Sequence, residues 1–405
     1  MRVLFSTDWH LGYEMGGANR VERLSDQARQ LQLIARYLEE HEVDVLAIAG
    51  DVFEAQERGR ARAAVQTLTS ALGPSLDRGL QVVIIAGNHD RDYFMETANE
   101  WLDAGHPGNG PRRMYLATRP RVLTVEARNE RLNFVLLPFP TPARYAMQGA
   151  EDSDGAASRN ERIARRFVEA MEDLQREAAG SRLPAVLLAH ITLDNTEVGP
   201  HRLGPRDDIV VPRSAFPSFE MAVVGHIHKP QRLGAAHFYY VGVLDRMDIG
   251  EADYETRVLL ADIAPDGSCE VTSLPLDPTP FQLVEAETEE DLQRAHDFMP
   301  NPELALVKLR LRAAFGAPTA PLIAAARELF PRLYGNVEHE WIGPPNAGPQ
   351  VEGLDPADVA TTIHRYLTEQ VEDERERAEL LELVDELRIA AGQPGLQPAT
   401  RATPP

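Results

Sequence analysis

The sequence predicts an α/β (α+β) fold, a four-layer-like β-sandwich flanked by helices, with a small α/β module and C-terminal helices behind it. Three observations carry this. Through the first half of the 405 residues, apolar runs of strand length alternate with stretches whose apolar residues recur at helical spacing. Short clusters of Asp, Asn and His follow directly on several of those runs, at the strand ends where α/β sheets carry their chemistry. A proline-rich stretch, 274–280, then breaks the pattern before a shorter αβ alternation begins.

In chain order, residues 3–5 read as a buried strand, and 21–40 place Leu24, Ala28, Leu31, Ile34, Ala35 and Leu38 on one helical face. Strands follow at 43–49 and 81–86, with a helix at 60–72 between them. Residues 121–125 and 132–137 read as strands paired around the turn-prone Asn129-Glu130. The polar stretch 149–158, a mobile loop by composition, leads into a helix at 160–178. Strands return at 185–189, 221–224, 237–241 and 256–263. Beyond the prolines come a strand at 281–286, a helix at 289–298, a strand at 304–311, a helix at 321–330 and a strand at 333–339. The expected boundaries are therefore 1–275 for the main domain, 276–343 for the small module, 344–355 for a linker, 356–391 for a helical segment and 392–405 for a disordered tail.

Composition narrows the function. A hydrophobic share of 43% and a charged share of 26% are those of a soluble globular protein. No segment has the apolar length of a membrane span or a signal peptide, so a cytoplasmic location is expected. Cys269 is the single cysteine, which excludes an intrachain disulfide and reads as a small buried hydrophobe. A net charge of −22 argues against coating nucleic acid by bulk attraction, so any such contact must be local or shared with a partner.

The motifs are Asp8-Trp9-His10, Gly50-Asp51, Gly87-Asn88-His89-Asp90, a lone His190, and Gly225-His226-Ile227-His228. An isolated Asp-x-His is usually a surface pair, Gly-Asp a turn, and a lone buried histidine a core residue. Together, in this order behind strands, they form a metal-binding pattern. Carboxylate, imidazole and amide donors suit manganese, iron or zinc better than calcium or a thiolate-loving ion. Their number exceeds what one cation takes and suits two divalent ions sharing a carboxylate. Glycine before Asp51, Asn88 and His226 is expected to let the backbone turn sharply.

In these stretches the sequence resembles the calcineurin-like metallophosphoesterase superfamily, and within it the SbcD nucleases. The stretch Ser6-Thr7-Asp8-Trp9-His10-Leu11-Gly12 is similar to their opening. Gly225-His226-Ile227-His228-Lys229-Pro230-Gln231, with Asp245-Arg246 and Gly250-Glu251, is similar to their second half. The resemblance implies one ion on Asp8, His10, Asp51 and His228, and a second on Asp51, Asn88, His190 and His226. It also implies that His89 meets the substrate phosphate without binding metal. Glu54 and Asp90 are the two candidates to orient His89 and complete the catalytic set. Two Mn2+ ions are the expected cofactors.

The resemblance further implies a DNA exonuclease/endonuclease acting on duplex ends and hairpins in double-strand break processing. It implies that 276–343 cap the site, and that the apolar stripe of Val359, Ile363, Leu367, Val371, Leu380, Leu381, Val384 and Leu387 docks on an SbcC-type ATPase. A homodimer within a heterotetramer, through helices at 60–72 and 93–102, belongs to the same expectation. Arg112, Arg113, Arg119, Arg121, Arg128 and Arg131, with Arg202, Arg206 and Arg213, are available to track a phosphate backbone, although each is individually more typical of a solvated charge. The alternatives are a stand-alone small-molecule phosphodiesterase or phosphatase of the same superfamily, and a non-catalytic protein that tethers DNA ends.

Overall fold

A computed structural model describes residues 1–54, 58–104, 113–147, 156–199, 209–234, 237–314, 317–342 and 380–381. The linker 344–355, nearly all of the helical segment 356–391, the tail, most of 149–158, and Arg112, Arg202 and Arg206 lie outside the described residues. The chain divides into two compact units, Met1–Leu311 with Ala320–Glu338, and Arg312–Thr319 with His339–Pro405.

The first unit is built on two six-stranded sheets. One runs in the order Cys269–Pro275, Arg257–Ile263, Arg2–Ser6, Val45–Ile48, Gln81–Ile85, Met114–Ala117. Its last four strands are parallel, and Arg257–Ile263 joins Arg2–Ser6 antiparallel. The other runs Gln231–Arg232, Phe238–Tyr240, Met221–Gly225, Ala185–His190, Glu130–Leu137, Arg121–Ala127. The central strands are continuous apolar runs because both their faces are covered. Along Arg2–Ser6, Val3 and Phe5 pack with Phe134, Leu136, Val186 and Leu188 of the opposite sheet. Leu4, pointing the other way, joins Leu31, Ile34 and Leu38 of helix Leu24–Glu40 and Leu68 and Leu72 of helix Arg58–Asp77. On the outer face of the second sheet, Ile163, Phe167 and Met171 of helix Ala156–Gly180 pack on Leu187 and Val224. Helix, sheet, sheet and helix make the four layers expected.

Local differences have local causes. Helix Leu24–Glu40 starts late because Val21–Glu22 pairs instead with Glu14–Met15. Helix Arg58–Asp77 runs through Pro74, since Leu76 beyond it still packs into the apolar cluster. Met114–Ala117 and Cys269–Pro275 are strands that periodicity misses. The latter is an edge strand, mostly exposed, so its sequence needs little alternation. The hairpin 121–137 turns on Arg128 and Asn129, both at positive φ (49° and 66°), the geometry that two-residue hairpins favour.

After the prolines, strands Phe281–Ala286 and Leu306–Ala314 pair in parallel from Phe281↔Leu306 to Ala286↔Leu311. Helix Glu289–Phe298, opened by a capping box between Thr288 and Asp291, and helix Ala320–Leu329 cover them through Leu292 and Ala326, with Phe330 just past the second helix. This layer is tied to the sandwich by ions taken out of water. Arg23, 1% exposed, pairs with Asp26 (2.7 Å) and Asp245 (3.1 Å), and Arg332 also pairs with Asp26. Asp245 accepts the backbone N–H and hydroxyl of Thr279 at 2.7 and 2.6 Å. In the second unit, Arg312 lies 3.4 Å from Glu340, and the rings of His339 and Trp341 stack at 5.2 Å.

Candidate metal centre

The parallel strands point the same way, so their C-terminal ends bring Asp8, Asp51 and Asn88 to one edge. His190 ends its own strand, and His226 follows Met221–Gly225 at the facing edge. All seven ligands expected from the sequence therefore gather where the two sheets meet. Asp8, His10, Asp51 and His226 all hold positive φ (51°, 43°, 53° and 94°), although none is glycine. Such a conformation costs roughly 1–2 kcal/mol per residue and persists where surrounding structure fixes it. Here the fixing bonds are visible: Asp8 N–H donates to Gly50 O (3.1 Å), His10 N–H to Asp51 O (2.8 Å), and His226 N–H to the Asp8 carboxylate (3.0 Å).

The preceding glycines do two different jobs. Gly50 sits at φ +93°, as the expected sharp turn requires, and a Cβ there would stand 2.2 Å from His190 Nδ1. Gly87 has no positive φ. It is small because a Cβ would stand 2.0 Å from the Asp51 carboxylate.

Among the described residues, three triads each hold their potential ligand atoms within 4.8 Å: Asp8, His10 and His228; Asp51, His190 and His226; and His10, Glu54 and His89, the last joined by hydrogen bonds to Glu54. The Asp51 carboxylate reaches the first two, 3.7 Å from His10 Nε2 and 3.3 Å from His190 Nε2. Asn88 Oδ1 lies 3.0 Å from His190 Nε2 and 2.9 Å from His226 Nδ1. Among the described residues, His10 Nε2 and His226 Nε2 are buried with no hydrogen-bond partner. A buried polar nitrogen left bare is costly. Two of them beside three carboxylate and amide side chains fit cation binding.

Electrostatics separates the imidazoles. Burial and the charge of His190 hold His226 down at about 3, so its ring is neutral. Burial also opposes charge on His228, but Glu251 at 2.7 Å overrides it and raises the group to about 9. Asp51, despite burial, is held well below the usual carboxylate range by His190, His10 and His89.

Glu54 Oε2 lies 3.1 Å from His10 Nδ1 and 2.5 Å from His89 Nδ1. Burial would raise Glu54, yet these two hydrogen bonds bring it to about 2. The same bond, against burial, lifts His89 to about 9. His89 is the exposed member of the site, with 41% of its side chain open to solvent. Asp90 is engaged elsewhere: its carboxylate accepts the backbone N–H groups of Val52, Phe53 and Gly87 at 3.1, 3.0 and 2.9 Å. Trp9 is buried in the apolar core and donates to Ser6 Oγ at 2.7 Å, a packing residue.

Residue types alone did not single out three further contributors. Arg144, 5% exposed, donates to the carbonyls of Gly87 (2.8 Å), Asp90 (2.9 Å) and Phe139 (3.2 Å), which fixes the Asn88-His89 loop. Gln27 donates to His10 O at 2.6 Å. Glu251 holds His228. Each acts across a long sequence separation, and the one available signal was the Gly250-Glu251 pair itself.

Residues 1–230, more than half of the chain, match the calcineurin-like phosphoesterase family (Metallophos). The chain belongs to that family. With the clustered Asp and His groups, it is a metal-dependent phosphoester hydrolase. It is 28% identical over 298 residues, 70% of this chain and 71% of the relative, to the D component of nuclease SbcCD from Rhodobacter capsulatus. Among solved structures, it is similar to a dimetal phosphatase from Danio rerio (11% identity, TM-score 0.37, 67% of this chain and 98% of that one). It is also similar to GAP50 of Plasmodium (9% identity, TM-score 0.36, 68% and 89%). Among the described residues, no helix is long and apolar enough to cross a membrane.

Proposed function

We propose that this phosphoesterase is a manganese-dependent DNA nuclease of the SbcD kind, acting on duplex ends and hairpins with an SbcC-type ATPase. The observation that carries the metal half of the reading is the pair of bare, buried nitrogens, His10 Nε2 and His226 Nε2, in two ligand groups, one containing Asp51 and the other within 3.7 Å of it. Asp8, His10, Asp51 and His228 would hold one cation, and Asp51, Asn88, His190 and His226 the other. When bound, such a pair supplies Lewis-acid charge and a water acidic enough to attack phosphorus near neutral pH.

The chain's own residues do the rest. Glu54 takes the Nδ1 hydrogens of His10 and His89, which turns one ring toward the ligand group and steadies the other beside it. His89, exposed and hydrogen-bonded to Glu54, would meet the phosphate and protonate the leaving sugar oxygen. Asp90 and Arg144 brace the loop that carries Asn88 and His89.

The choice of DNA, and of the ATPase partner, is supported by the likeness to the D component of nuclease SbcCD. A homodimer through helices Arg58–Asp77 and Asp92–Ala104 belongs to the same proposal, supported by Tyr93, which stands 74% exposed on the second of them. The small module 276–343 would then sit as a cap, and 356–391 as the ATPase dock.

The test offers purified chain with MnCl2 or EDTA blunt and hairpin duplexes, cyclic nucleotides and a phosphopeptide, with and without an SbcC-type ATPase. Manganese-dependent cutting of duplex ends, stimulated by the ATPase, is expected. Turnover confined to cyclic nucleotides or phosphopeptide would overturn the reading.

A further inference from the structure

Glu251 is a buried acid that the chemistry above does not use. It is 0% exposed, and both its oxygens are engaged: Oε1 lies 2.7 Å from His228 Nδ1, and Oε2 accepts the Met247 N–H at 2.7 Å. Burying a carboxylate is costly, so a site that keeps one must fix its partners closely. The acid rides on a short 3-10 turn, Ile249–Glu251, capped by Asp248, whose side chain accepts the Gly250 N–H at 2.8 Å. On either side of Glu251, Ile249 and Ala252 pack against a small apolar cluster of Met15, Phe281, Leu306 and Tyr334. Phe281, Leu306 and Tyr334 belong to the layer that follows the prolines. Met15, with Tyr13 packed against the same cluster, lies a few residues beyond His10, and Tyr13 N–H donates to His10 O at 2.9 Å.

We propose that Glu251 is a positioning residue that fixes the ring of His228 for cation binding, on a turn that the small α/β module clamps in place. The proposal rests on the metal-centre reading above. In the neutral ring, with Oε1 accepting the Nδ1 hydrogen, the His228 lone pair falls on Nε2, the form that can join Asp8 and His10 around a cation. A carboxylate in this position also makes the imidazole a stronger donor. Because the Tyr13–Met15 segment leans on the same apolar cluster, the module supports both loops that bring the Asp8, His10 and His228 group together.

Calorimetric titration of the full chain with MnCl2 tests this on wild type, Glu251→Gln, His228→Ala and the double variant. Glutamine keeps the volume but cannot accept from both His228 and Met247. The expected result is two manganese equivalents in wild type and, in Glu251→Gln, about 10- to 100-fold weaker binding of one of them alone. In the His228→Ala background, Glu251→Gln should add no further loss, because it acts through that ring. Wild-type binding of both equivalents by Glu251→Gln, a lower melting temperature without weaker binding, or additive losses in the double variant would each overturn the inference. Absence of any manganese binding by wild type would instead sink the metal-centre reading, and it would show before a variant is examined.

Discussion

The two halves of the metal centre are braced by different forces. Around Asp8, His10 and His228 the imidazoles lean on carboxylates, His10 on Glu54 and His228 on Glu251. Around Asn88, His190 and His226 the supports other than the Asp51 carboxylate are neutral. His190 Nδ1 donates to the Ala49 carbonyl at 2.8 Å, and the ring of Phe139 packs against His190 and His226 with centroids 6.1 and 5.4 Å away. The first half is held by charge on loops that rest against the small module. The second is held by packing between the sheets. Charge makes an imidazole a better donor but needs partners kept in register, whereas a packed ring keeps its place without them. His226 and His228, two positions apart, fall on opposite sides of this divide: burial wins at one and the carboxylate at the other.

The comparison can be broken or sharpened by substitution. Asp51 serves both halves, so Asp51→Ala should lose both manganese equivalents and lower cleavage by about 10³-fold or more, read by elemental analysis and a DNA assay. Retention of one equivalent would mean the halves do not share it. His89→Ala should lower kcat by about 10²- to 10⁴-fold with both equivalents kept, if His89 meets the phosphate and its ring is held by Glu54 and not by a cation. Metal loss in this variant would reject that division of roles. Gly50→Ala strikes the packed half: the new methyl meets His190 Nδ1, and the left-handed backbone alone costs about 1–2 kcal/mol. Urea unfolding and manganese titration should show a destabilised chain in which the equivalent beside His190 is weakened more than the Glu251-dependent one. The smallest effect is expected from Tyr334→Ala, which loosens the cluster beneath Ile249 and should weaken only the Glu251-dependent equivalent, by a few-fold. Equal weakening of both would end the claim that the module supports one half.

Much of the architecture was legible because it rests on short-range patterns. Apolar runs buried on both faces gave the parallel strands, helical spacing gave helix Leu24–Glu40, and Asn129 marked the hairpin turn. Elements without a strong local pattern escaped, such as the exposed edge strand Cys269–Pro275. The site divides along the same line. Its donor residues stood out because Asp, Asn and His directly behind apolar strands are conspicuous, but the sequence left Asp90 as a rival to Glu54 beside His89. Distance separates them: Glu54 reaches the ring, while Asp90 is engaged by three backbone amides.

By itself the sequence determined the layers of the sandwich and the chemical kinds of group delivered to its strand ends. Both follow from side-chain periodicity and residue type, which are local properties of the chain. Only the tertiary structure decided which acid or carbonyl supports which imidazole: Glu251 for His228 from 23 residues away, Ala49 for His190 from 141. Such pairings depend on how separate strand ends and loops converge, and no local pattern records that convergence.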